Sequence, residues 1–250
     1  MLTYHRTVTS ALQATARLAR ASPYVAVISA PVDKAEQIAE RQLKRYPTIG
    51  VDHPTRTALR RAGLPAIQLV VMPPKAEEVT MLLWSNLPPL DSRENWQLAL
   101  DPDLPLTWRN YQPSKAPKGA AITWRLSEAA RAHYRQRLAR LITGRGSIPA
   151  PGQQPYQLPD ETAHAQVIKL AEHLKHYPGL SGIRADVFDL AQYSTKLWKS
   201  TRPQMPYPAW PTMPYIRFGA PQTAPLSDLV HHQMQQEETD HDEAQEEASD

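Results

Sequence analysis

The sequence predicts an α+β fold, with an N-terminal mixed or antiparallel sheet bearing helices on one face. A three-helix C-terminal half and a disordered acidic tail follow. Three observations carry this. Strand-length apolar runs broken by turn residues dominate positions 66–126, and apolar residues recur at helical spacing on either side of them. Residues 226–250 hold nine Asp and Glu and no Lys or Arg. The chain also carries 25 Pro in 250 residues, which keeps elements short because Pro lacks an N–H and fixes φ.

Element by element, Thr7 to Arg20 reads as a helix with Val8, Ala11, Leu12 and Thr15 on one side. Its opening is rich in Thr, Ser and Arg, and the first acidic residue is Asp33; a basic surface helix accounts for this more simply than a transit peptide. Tyr24 to Ser29, bounded by prolines, is a buried strand. Asp33 is placed to cap a helix reaching about Tyr46, with Ala35, Ile38, Ala39 and Leu43 inward. Pro54 to Ala62 forms a short helix ended by Gly63.

Strands are expected at Ala66–Met72, Glu78–Ser85, Trp96–Leu100, Leu106–Tyr111 and Ala120–Leu126, arranged as an antiparallel meander. From Ser127 the period becomes helical, with Ala130, Tyr134, Leu138 and Leu141 as the buried stripe. Further helices span Asp160 to about His176 and about Ile183 to Lys199. The domain expectation is therefore 1–126 for the sheet, 127–200 for the helices, 201–225 for a Pro-aromatic linker and 226–250 for the tail. Met205-Pro206-Tyr207 recurs as Met213-Pro214-Tyr215, a spacing that favours extended polyproline II.

Charge supplies the main functional signal. The first 225 residues hold all 28 Lys and Arg against 16 Asp and Glu. A basic body with an acidic arm points to a nucleic-acid partner, DNA or RNA. The candidate contacts are Arg131, Arg135, Arg137, Arg140 and Arg145, with Arg60, Arg61 and Arg125 extending the surface. Guanidinium groups pair bidentately with phosphate oxygens and release counterions on binding. Trp96, Trp108, Tyr111 and Trp124 interleave with Arg109 and Arg125. Strand alternation turns each Trp away from its Arg neighbour, so the tryptophans are expected in the core.

Gly179-Leu180-Ser181-Gly182 between two helices resembles in position the GxxG loop of KH domains. Its middle residues are not basic and no strand precedes the first helix, so a glycine C-cap followed by a new helix is the simpler account. His173 and His176 lie at i, i+3 without a metalloprotease spacing, and His231, His232 and His241 fall in the tail. No cysteine is present, which excludes disulfides, thiolate zinc sites and a Cys nucleophile. No phosphate-loop, dinucleotide or nucleophile-elbow motif appears, so no cofactor, metal or catalytic residue is expected.

The leading expectation is a cytoplasmic, non-enzymatic nucleic-acid-binding accessory protein whose acidic tail modulates binding. Its composition suits replication, transfer or maintenance of a mobile element. The alternative is an interaction or scaffold subunit that holds another protein through residues 203–225, with Tyr207, Trp210 and Tyr215 as contacts, and through the tail. An enzyme with an unrecognised site ranks third. No stretch is long and apolar enough for a membrane span.

Overall fold

The computed structural model describes residues 2–117, 119, 121–144, 158–216 and 219–229. The chain forms two compact units, one of Met1–Leu106 with Phe218–Asp250 and one of Thr107–Arg217. In sequence, the second unit interrupts the first. The expectation that residues 230–250 are disordered falls outside the described residues.

Unit 1 is built from β1 (Thr3–His5), α1 (Val8–Ala19), β2 (Tyr24–Pro31), α2 (Ala35–Arg45), α3 (His53–Arg61), β3 (Gln68–Val71), β4 (Glu78–Ser85) and β5 (Trp96–Leu98). A last strand, Thr223–Pro225, completes a six-stranded sheet in which it flanks β1 and the order inward is β1, β3, β4, β2, β5. Only β1 and β3 run parallel, with Tyr4 opposite Val71, so the sheet is mixed. A sequential meander does not form, because β4 pairs on one side with its neighbour β3 and on the other with the distant β2.

Local chemistry explains the helix starts. Thr7 caps α1 by accepting from the Ser10 N–H, and Asp52 caps α3 through the Thr55 N–H at 3.0 Å. Asp33 does not cap α2; it sits within a 3₁₀ turn, Val32–Lys34, that leads into the helix. Helix α1 buries one face through Ala11, Leu12, Thr15, Ala16 and Ala19 while Arg17 stays exposed, the pattern of a surface helix packed on a core. Met81 and Leu83 of β4 join clusters that include Ala35, Ala39 and Tyr46, while Leu82 and Trp84, which point the other way, are equally buried.

The segment expected to be free spacer and tail closes this unit. Arg6 N–H donates to Gln222 O at 2.9 Å, Leu226 N–H to Leu2 O at 3.0 Å and Gln222 N–H to the Ser10 hydroxyl at 2.8 Å. A 3₁₀ turn, Leu226–Asp228, then brings Leu226 and Leu229 into the cluster of Tyr4, Ala35, Ala39 and Met81. Burying two leucines is worth about 3–6 kcal/mol before entropy, enough to hold a short edge strand.

Unit 2 contains a hairpin, β6 (Tyr111–Lys115) and β7 (Ile122–Leu126), followed by α4 (Glu128–Thr143), α5 (Asp160–Lys175) and α6 (Ser181–Thr201). The Thr223–Pro225 strand of unit 1 is thus β8. The hairpin groups with the helices and not with the larger sheet, so the compact units divide near residue 106, whereas composition placed the division at 126/127. Leu106–Tyr111 is not a strand; Trp108 and Tyr111 exchange backbone hydrogen bonds around a tight turn with Arg109 at φ 53°.

Ser127 caps α4 through the Ala130 N–H, and Gly144 ends it in a left-handed conformation. The buried stripe is Ala130, Tyr134, Leu138 and Ile142, the last replacing the expected Leu141. In α5 Val167, Leu170, Ala171 and Leu174 are buried as the spacing predicts.

Residues 203–216 lie along α6 and are no free linker. Trp198 Nε1 donates to Met205 O at 3.0 Å, the Tyr207 hydroxyl pairs with Ser194, and Pro208 and Met213 are buried. Arg202, only 4% exposed, donates to Ile142 O, to Leu158 O and to the Asp160 carboxylate. One guanidinium thereby ties the end of α6 to α4 and to the entry of α5.

Candidate nucleic-acid interface

The division into units redistributes the charge seen in sequence. Unit 2 holds 16 Lys and Arg against six Asp and Glu, a formal +10. Residues 1–106 hold 12 against ten. The basic excess therefore belongs almost wholly to the helical unit, and the acidic run belongs in sequence to the other.

The candidate arginines separate accordingly. Arg60 and Arg61 are on α3 of unit 1, where Arg60 donates to the Ser22 hydroxyl at 3.2 Å and Arg61 is exposed. Arg125 does not present a free charge. Its Nη2 lies 2.7 Å from Asp186, a residue 3% exposed whose other oxygen accepts the Leu126 N–H at 2.8 Å. Arg125 and Asp186 join β7 to α6, and the pair neutralises both groups.

Arg131, Arg135, Arg137 and Arg140 are on α4, and Arg145 lies outside the described residues. The inward face of α4 separates them into two flanks, because at 100° per residue Arg131 and Arg135 fall on one side of Leu138 and Arg137 and Arg140 on the other. Arg131 is half-buried with its Nε enclosed. Arg135 sits over the Tyr193 ring, 5.4 Å from its centroid. Arg137 and Arg140 are exposed, and among the described residues no Asp or Glu pairs with either.

A polar aromatic cluster adjoins the Arg137 flank. The Tyr134 hydroxyl pairs with the Tyr177 hydroxyl and approaches His173 Nε2 at 3.4 Å, and the His133 ring packs edge-on against Tyr134 at 5.4 Å. Burial, and then the Tyr177 hydrogen bond, push the Tyr134 phenol upward, so it stays protonated and can only share neutral hydrogen bonds. Sequence spacing alone did not join Tyr134, a member of the expected stripe of α4, to Tyr177, which follows the end of α5.

The tryptophans behave as packing residues. Trp124 is fully buried, Trp108 is 5% exposed with the Arg109 guanidinium 4.5 Å above its ring, and Trp96 donates to Ser92 at 2.7 Å. The GxxG loop has a packing role too. A Cβ on Gly182 would stand 2.4 Å from Trp124 O, and one on Gly179 would stand 2.1 Å from Pro214 O. Gly182 N–H and the Ser181 hydroxyl both donate to Thr123 Oγ1, so the start of α6 is pressed on β7 and is not open to a backbone phosphate.

Of the partner-contact residues, Tyr207 turns inward, Trp210 is half-buried beside α6, and Tyr215 is 61% exposed with Arg184 over its ring. Among the described residues no three His, Asp or Glu converge as metal ligands, and no helix is long and apolar enough to cross a membrane. No family model, curated protein or solved structure matches this chain.

Proposed function

We propose that the protein is a nucleic-acid-binding accessory protein that contacts phosphates through α4 of unit 2, its acidic C-terminal segment weakening that contact. The observation that carries this reading is the concentration of charge: a formal +10 in the helical unit, with Arg137 and Arg140 exposed and unpaired by carboxylates among the described residues. Clustered guanidinium groups of this kind favour a polyanion, and the favourable term is counterion release. Arg125 drops out of the contact set because Asp186 occupies it. Arg60 and Arg61 belong to unit 1, whose 12 Lys and Arg face 19 Asp and Glu, and are left out as well. A cytoplasmic setting on a mobile element suits the composition.

The acidic segment starts from a fixed root, since Leu226 and Leu229 are buried in unit 1. Its 21 residues beyond Leu229 extend at most about 70 Å. The deletion that tests its role therefore begins at residue 230, which spares the two leucines. Binding of the full chain and of residues 1–229 is to be titrated against single- and double-stranded DNA and RNA across a salt series. The expected result is tighter binding by the shorter chain and affinity falling steeply with salt. Equal affinities refute the modulating role, and no binding at low salt refutes the reading itself.

A further inference from the structure

On unit 2 the residue 210–213 stretch and the β6 exit, Ala116 and Pro117, leave a groove of about 690 Å³ against α6. Its walls include Val187, Phe188, Trp210 and Met213, and among the described residues its one charged lining residue is Arg184. Volumes of this size hold several side chains or a drug-sized ligand. Phe188, one of the lining residues, is 61% exposed, and Tyr215 beside Arg184 is exposed to the same degree. Exposed aromatics next to an Arg at an apolar depression have the composition of contact hot spots.

The groove is separate from the α4 arginines. Arg135 lies over Tyr193, nine residues beyond Arg184, which is half a turn around α6 at 100° per residue. Its walls are mostly aliphatic, from Ala, Pro, Val and Met side chains, so they fit branched side chains better than flat bases. Pro117 and Pro211 in the walls offer no N–H for an added strand. The occupant thus engages by side chains and not by backbone pairing. Arg184 in the lining, the absence of a lining carboxylate among the described residues and a unit of formal +10 call for negative charge on the occupant.

We propose that this groove docks an acidic amphipathic helix of a partner protein, whose apolar stripe enters between Phe188, Trp210 and Met213 while a carboxylate pairs with Arg184. Helix-in-groove recognition of this kind is read from apolar residues at i, i+3 or i+4, and i+7. It does not depend on the nucleic-acid reading.

The test is selection of 16-residue peptides from a displayed random library on the full-length protein, followed by affinity measurement on Phe188→Ala and Arg184→Glu proteins. Both substitutions are at positions that are at least partly exposed, and circular dichroism checks that folding survives. Expected are enriched peptides with the helical apolar stripe and an Asp/Glu excess, bound at least tenfold more weakly by each variant. A library that enriches nothing, peptides without the stripe or the acidic excess, or binders indifferent to both substitutions overturn the proposal. An oligo(dT) strand that loses affinity on Phe188→Ala, while selected peptides do not, assigns the groove to bases and overturns it equally.

Discussion

Asp186 holds Arg125 at 2.7 Å with one carboxylate oxygen while the other accepts the Leu126 N–H at 2.8 Å. Asp186→Ala strands a buried N–H and a half-buried guanidinium, a loss of about 3 kcal/mol. Arg125→Ala leaves a carboxylate only 3% exposed with one backbone donor and no counter-charge, a loss of similar size, about 3 kcal/mol. Urea unfolding of both variants checks the two losses. Arg125→Ala should also leave nucleic-acid affinity within about twofold, because its charge is already spent inside unit 2.

Two glycines on α6 and its approach set the closeness of packing. Gly182→Ala puts a methyl 2.4 Å from Trp124 O, a contact that backbone atoms cannot relieve locally. The cost is about 2–3 kcal/mol, and the helix must lift from β7. Gly63→Ala provides the contrast: nothing lies within 4 Å of its Cβ, and only the positive φ is strained. Its cost is about 1 kcal/mol. Thermal melts of the pair separate crowding from backbone strain.

Truncation distinguishes root from tail. Removal of residues 230–250 should leave unfolding free energy unchanged, whereas Leu226→Ala or Leu229→Ala each costs about 2–4 kcal/mol through the cavity left beside Tyr4 and Met81. Denaturant midpoints of the three variants check this.

Acid should unfold the first unit in two stages. Burial lowers the His5 pKa below 6.5, and the Ser10 hydroxyl can donate to its Nδ1 at 2.8 Å, an arrangement suited to the neutral ring. With the folded pKa below the unfolded one, the unfolded chain takes up the proton first, so stability falls as pH drops below about 6.5. For Glu94 burial acts upward, but hydrogen bonds from Tyr46 and Ser92 together with Arg45 outweigh it and bring the pKa to about 2. That contribution is present above about 4.5 and is lost as pH falls toward 2. In stability-versus-pH curves, His5→Gln should remove the loss that sets in below the ordinary histidine value and Glu94→Gln the acid one.

Much of the fold was legible because local pattern and burial agree. Ser127, Ala130, Tyr134 and Leu138 specify the start and inward face of α4, and Val167 to Leu174 do the same for α5. The hairpin's allegiance was not, since the alternation of Ile122–Leu126 suits any sheet and the deciding partner, Asp186, is 60 residues away. Residues 201–225 read as linker because Pro suppresses every periodic signal, and residues 226–229 read as the start of the acidic tail with at most a turn of helix around Leu229. The available clue was Leu226 and Leu229, two apolar residues at i, i+3 just ahead of the acidic run. The Arg cluster was visible as composition, but which members are free depends on carboxylates and rings that only folding brings near.

The proposed interface is tested most directly by the slope of log K against log salt for a DNA duplex or single strand, comparing the full chain with Arg137→Ala/Arg140→Ala. Each lost phosphate contact removes about 0.7–0.9 from the slope, so the double variant should flatten it by about 1.4–1.8, while Arg60→Ala/Arg61→Ala leaves it unchanged. An unaltered slope in the α4 variant, or an equal flattening from the α3 pair, would contradict binding through unit 2.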